Sequence, residues 1–75
     1  MELSKFLENF AGQFEETPAE EFSPETNFRD LGEWDSLIAL SLIAMIDEEY
    51  EKQISGAELR SVNTIKELYD LVKSK

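Results

Sequence analysis

The chain's 75 residues are expected to form one domain, 1–75, and a domain of this size buries only about 60% of the surface its unfolded chain exposes, which leaves little room for a deep catalytic cleft. It contains no cysteine and no histidine, so the thiolate nucleophile, the disulfide staple, the commonest general base and the commonest zinc ligand are all excluded. Seventeen acidic residues against seven basic ones give a formal net charge of −10, a surface that repels nucleic acid and anionic membranes and attracts basic partners.

The first segment sets Leu3, Phe6, Leu7, Phe10 and Phe14 at steps of three and four, with Lys5, Glu8, Asn9 and Gln13 mostly on the other face, and predicts a helix over about residues 2–14. Its start has no cationic region leading into a long apolar run, so it does not read as a signal peptide, and no stretch is long enough to span a bilayer; a cytoplasmic protein is the expectation. Residues 15–35 lose the period. Pro18 and Pro24 interrupt them, and Thr17, Ser23, Thr26, Asn27 and Gly32 supply turn chemistry, with room for a helical turn around Pro18 to Phe22. A connection of this length is usually functional or disordered. Phe22, Phe28 and Leu31 are expected to pin it to the core.

A second helix is predicted over about Ser36 to Tyr50, with Asp35 as its N-cap. Leu37, Leu40, Ile43, Ala44, Ile46 and Tyr50 are expected to form its inward stripe, with Ile38, Leu42 and Met45 partly off it. The acidic run Asp47, Glu48, Glu49 and Glu51 closes it. Ser55 and Glu58 have the spacing of a capping box before a short helix over about 56–61, and Thr64 and Glu67 repeat it before a last helix in which Ile65, Leu68, Tyr69 and Val72 face the core, with Leu71 beside them. Lys73 and Lys75 end that helix, where positive charge is favoured. No segment alternates like a strand. The expected fold is all-α: a small four-helix bundle of three longer helices and one short one, with a long loop between the first two.

The stretch Phe28-Arg29-Asp30-Leu31-Gly32-Glu33-Trp34-Asp35-Ser36-Leu37 carries the chemistry. It places the hydroxyl of Ser36 in the first turn of an apolar helix, directly after a long loop. Unpaired amides and the positive end of the helix dipole lie there, so a phosphate on Ser36 would be well tolerated. Read alone, an Asp-Ser pair at a helix start is an ordinary cap. No segment has the spaced ligands and central glycine of a calcium-binding loop.

These residues resemble the acyl carrier proteins, whose signature is an Asp-Ser-Leu opening the second helix after a Leu-Gly turn, with an acidic end to that helix. Here the matching residues are Leu31-Gly32, Asp35-Ser36-Leu37 and Asp47-Glu48-Glu49-Tyr50. The likeness extends over nearly the whole chain, in length, helix order, long first loop and acidity. It implies a carrier rather than an enzyme. Ser36 would be the attachment point for 4′-phosphopantetheine, transferred from coenzyme A by a magnesium-dependent phosphopantetheinyl transferase. The arm's thiol would hold cargo as a thioester, so the missing cysteine is no obstacle.

The resemblance also implies partner contacts. Asp35 would cap the helix and meet a basic partner. Leu37 would either touch partner enzymes or anchor the helix start. Asp47, Glu48 and Glu49 would face basic patches on acyl-transferring or condensing enzymes, or simply be a solvated helix end. Ile43, Ile46, Ile54, Ala57, Leu59, Val62 and Leu68 would line an acyl cavity or simply pack the core. The chain departs from the common fatty-acid type in having two residues, Glu33 and Trp34, between Leu31-Gly32 and Asp35. Trp34 would pack over the loop or present an aromatic anchor. Ile38, Ala39 and Ser41 stand where polar or acidic residues are often found, which makes Ile38 a candidate contact and points to a specialised acyl or polyketide pathway beside fatty acid synthesis. A monomer is expected. The alternatives are a stand-alone peptidyl or D-alanyl carrier with the same mechanism, or an unmodified acidic helical adaptor.

Overall fold

The computed structural model describes residues 2–75, and these contain four α-helices: α1 Leu3–Ala11, α2 Ser36–Tyr50, α3 Gly56–Arg60 and α4 Ile65–Lys73. Two 3-10 turns, Ala19–Glu21 and Phe28–Asp30, interrupt the connection between α1 and α2. The first is the helical turn expected before Phe22. The second has no period to announce it; the Asn27 side chain starts it by accepting from the Arg29 amide at 3.1 Å.

Helix α1 stops at Ala11, three residues short of the predicted end. The chain then tightens: Gln13 N–H donates to Phe10 O and Phe14 N–H to Ala11 O, each three residues back. These turns still deliver Phe14 to the core, where it joins Phe6 and Phe10 in being buried. The apolar period therefore outruns the helix. Rings continue the contact, with Phe10 and Phe14 stacked at 5.5 Å and Phe22 and Phe28 lying 6.0 and 5.7 Å from Phe10.

The long connection is held by backbone as well as by rings. The amides of Ile65 and Lys66, orphans at the start of α4, donate to Thr26 O and Pro24 O at 3.1 and 2.9 Å. Phe28 N–H donates to Asn63 O, and Asn27 and Thr64 form an isolated β-bridge. Both predicted capping boxes are present, with Ser55 and Glu58 closing the start of α3 and Thr64 and Glu67 the start of α4. Phe28 is fully buried and Phe22 and Leu31 are half-buried, as their role of pinning the loop requires.

The inward face of α2 differs from the predicted stripe. Leu42, Met45 and Ile46 are its buried residues, with Ile38, Ala39, Ile43 and Tyr50 packed against them. Leu37 and Leu40 are 71% and 63% exposed, and Ala44 is also exposed. The reason is that apolar residues run almost all round this helix, so several phases fit the sequence and only the shape of the core selects one. Helix α4 has a single apolar face, and there Ile65, Leu68, Tyr69 and Val72 are buried as predicted. Helix α2 ends on Glu51 in the left-handed conformation (φ 55°, ψ 37°), a position that glycine usually fills.

Candidate functional site

The loop that leads into α2 is fixed residue by residue. Glu33 turns its carboxylate onto the segment after α1, accepting from the amides of Glu15 (2.7 Å), Glu16 (3.0 Å) and Thr17 (3.0 Å) and from Thr17 Oγ1 (2.8 Å). These bonds, the Glu15 amide first, hold its carboxyl below the ordinary carboxylate range. Trp34 lays its indole on the buried Phe28, with ring centroids 4.9 Å apart at 48°, and is half-buried. Its amide donates to Leu31 O at 3.0 Å. The loop-packing alternative for Trp34 is therefore the arrangement seen.

Asp35 is the predicted cap. Its backbone is extended and its Oδ1 accepts from the Ile38 amide at 2.9 Å. That leaves the amides of Ser36 and Leu37 without a partner among the described residues. Ser36 is exposed, and its hydroxyl makes no hydrogen bond to a described residue. An unencumbered hydroxyl, two free amides and the positive end of a 15-residue helix thus converge on one point. These groups fit a phosphodiester on the serine oxygen.

A groove of about 480 Å³ opens beside Ser36, between α2 and α3. Its walls are mostly apolar, from Trp34, Ala39, Leu40, Ile43 and Leu59, with Gly56 at the start of α3 letting the side chain of Arg60 fold back across it. Arg29 and Arg60 also border it. Arg29 is committed: its guanidinium donates to Asn63 Oδ1 at 2.6 Å and to the carbonyls of Leu59 and Arg60, closing the C-terminal end of α3. A smaller hollow of about 330 Å³ continues along α2, lined by Leu40, Ile43, Ala44, Asp47, Gln53 and Ile54.

The expected partner residues separate into groups. Leu37 stands clear of the core beside Ser36 and does not anchor the helix start. Ile38 lies on the other side of the helix, half-buried against the core, so Leu37 and Leu40 offer the apolar surface there instead. Asp47, Glu48 and Glu49 are exposed at the far end of α2. Of the residues expected around a cavity, Ile43, Ile54 and Leu59 line the grooves, Ile46 and Leu68 are fully buried in the core, Val62 is half-buried and Ala57 is exposed. The sequence reading missed Ala39, Leu40, Arg29 and Arg60 as lining residues. The two arginines carry no local signal, because their places depend on how α3 packs against α2.

No curated protein and no solved structure gives a significant match to the chain. The family described as "Phosphopantetheine attachment site" matches residues 4–72. That span contains all four helices but for the ends of α1 and α4, together with the whole loop and groove. With nearly the full chain inside the match, the protein belongs to this family of phosphopantetheine carriers, the acyl carrier proteins, which bear a cofactor and are not themselves catalysts.

Proposed function

We propose that Ser36 is the attachment residue, and that residues 1–75 act as a single discrete carrier domain presenting acyl groups to partner enzymes. The observation that carries this reading is the exposed, unpartnered hydroxyl of Ser36 at the first position of α2, within an Asp-Ser-Leu sequence and beside an apolar groove. When bound, phosphopantetheine supplies a thiol on a long flexible tether, which holds cargo as a thioester. Everything else falls to the chain's own residues. Asp35 fixes the helix start, so Ser36 Oγ is held at a defined point for a phosphopantetheinyl transferase. The Ser36 and Leu37 amides and the helix dipole stabilise negative charge at that oxygen. Trp34 and Glu33 hold the loop down and keep the serine accessible.

The cargo is read as acyl rather than aminoacyl because the groove walls beside Ser36 are apolar. The pathway is read as fatty acid synthesis or a specialised acyl or polyketide route, carried out in the cytoplasm alongside coenzyme A-dependent enzymes. Partners would dock on the exposed face of α2. Leu37 and Leu40 offer apolar contact there, and Asp47, Glu48 and Glu49 offer charge complementary to basic patches. Three carboxylates in the last turn of a helix oppose its dipole, and no basic residue in that turn offsets them. A contact with a cationic partner accounts for that arrangement. The reading is of a monomer.

The test is intact mass after incubation with coenzyme A, magnesium and a broad-specificity transferase. The expected result is a gain of one phosphopantetheine unit, abolished by Ser36→Ala. An unmodified chain with several such transferases would support the acidic adaptor instead.

A further inference from the structure

We infer that Arg60 is the counter-ion of the attached arm: its guanidinium holds the phosphodiester on Ser36 and so directs the arm into the groove between α2 and α3. This rests on the reading of Ser36 as the attachment residue.

The first observation is a difference among the cations. Lys5 pairs with Glu8, Lys66 with Asp70 and Lys75 with Glu58. Arg29 is bound to Asn63 and two carbonyls, Lys52 donates to the carbonyl of Lys75, and Lys73 lies over the Tyr69 ring. Among the described residues Arg60 alone has no such partner, in a chain with 17 carboxylates. The second observation is its place. The Arg60 side chain folds back along α3 and Nη1 lies 3.3 Å from where a Cβ on Gly56 would stand. It borders the same groove as Ser36 and Asp35.

The third observation is electrostatic. A phosphodiester on Ser36 would set a negative charge beside the Asp35 carboxylate, on a chain already at −10. The free amides of Ser36 and Leu37 supply only partial positive charge. Arg29, the other cation on this groove, has spent its donors on the end of α3. Arg60 is therefore the one full positive charge free to meet an anion there, and a guanidinium matches phosphate oxygens in a forked geometry that lysine lacks. A carboxylate at the end of a cargo is the other anion that could reach Arg60. The phosphodiester is favoured because its bond to Ser36 keeps it at the mouth of the groove, whereas a terminal carboxylate needs the arm to fold back.

The test compares wild type, Arg60→Gln and Arg60→Lys, each as apo protein and as protein loaded by transferase, with loading verified by intact mass. Loading should raise the melting temperature by about 2–5 °C more in wild type than in Arg60→Gln at low salt, with Arg60→Lys between them. The difference should shrink at high salt. The ³¹P resonance of the loaded wild type should differ from that of a phosphopantetheinylated serine peptide, and Arg60→Gln should bring the two together. Equal loading effects and equal ³¹P spectra in all three proteins would overturn the proposal while leaving the Ser36 reading intact. An Arg60-dependent gain seen only after malonyl loading, and not with the free thiol, would also overturn it and assign Arg60 to the cargo. Absence of any mass gain would overturn both readings together.

Discussion

The carboxylate of Glu33 gathers four hydrogen bonds from a segment 16 to 18 residues away, and so ties the loop before Ser36 to the end of α1. Its folded pKa lies below its unfolded value, so it contributes stability that is fully present above the unfolded pKa and lost as pH falls through the folded one. Glu33→Gln keeps one oxygen acceptor but loses the charge and the second. It should lower the melting temperature at neutral pH, flatten the acid side of the stability curve, and speed amide exchange at Glu15, Glu16 and Thr17. Unchanged exchange at those three amides would show that the clamp does not hold in solution. At this scale the sequence disclosed what is local. Asp35 could be read as a cap because its partner is three residues on, and Ser36 because it follows. Glu33 and Arg60 could not be read, since their surroundings are assembled from distant segments.

The starts of α3 and α4 were legible for the same reason. Both capping boxes sit where a Ser or Thr precedes a Glu by three residues, and both close with the expected bonds. Helix faces were legible only where the sequence has one apolar side, as in α4. In α2 the apolar surplus hid the phase: of the expected stripe, Ile46 is buried and Ile43 and Tyr50 pack against the core, while Leu37, Leu40 and Ala44 form the outer surface. That surplus is itself informative: an apolar row left outside beside Ser36 is surface available to a partner. Ile46→Ala should cost about 2–5 kcal/mol, because it empties a fully buried site. Leu40→Ala should change stability by less than about 0.5 kcal/mol and instead slow transfer from the loaded carrier to its enzyme. Urea denaturation of the two variants separates these cases, and a loss for Leu40→Ala as large as that for Ile46→Ala would restore the stripe expected from the sequence, which held both residues inward.

Over the whole molecule, charge and size act together. The radius of gyration is 11.0 Å, close to the Debye length of about 8–10 Å at ordinary ionic strength. A basic partner approaching α2 therefore feels chiefly the charges on that face, with Asp47, Glu48 and Glu49 giving it direction and the far side of the molecule largely screened. Asp47→Asn with Glu48→Gln should slow association with a transferase or condensing enzyme several-fold at low salt, and the loss should fade as salt rises. A salt-independent loss would mean that these side chains act by shape rather than charge. Acidity and length were plain in the sequence, and so was the all-helical architecture. The groove was not, because it is a space between α2 and α3 that no single segment encodes.

Tandem mass spectrometry of peptides from the loaded protein decides whether Ser36 carries the arm. The chain has seven serines, and Ser41 is also exposed on α2. The phosphopantetheine fragment is expected on the peptide containing Asp35-Ser36-Leu37, assigned to Ser36, with no loading of Ser36→Ala. Assignment of the arm to Ser41 or any other residue, or full loading of Ser36→Ala, would contradict it.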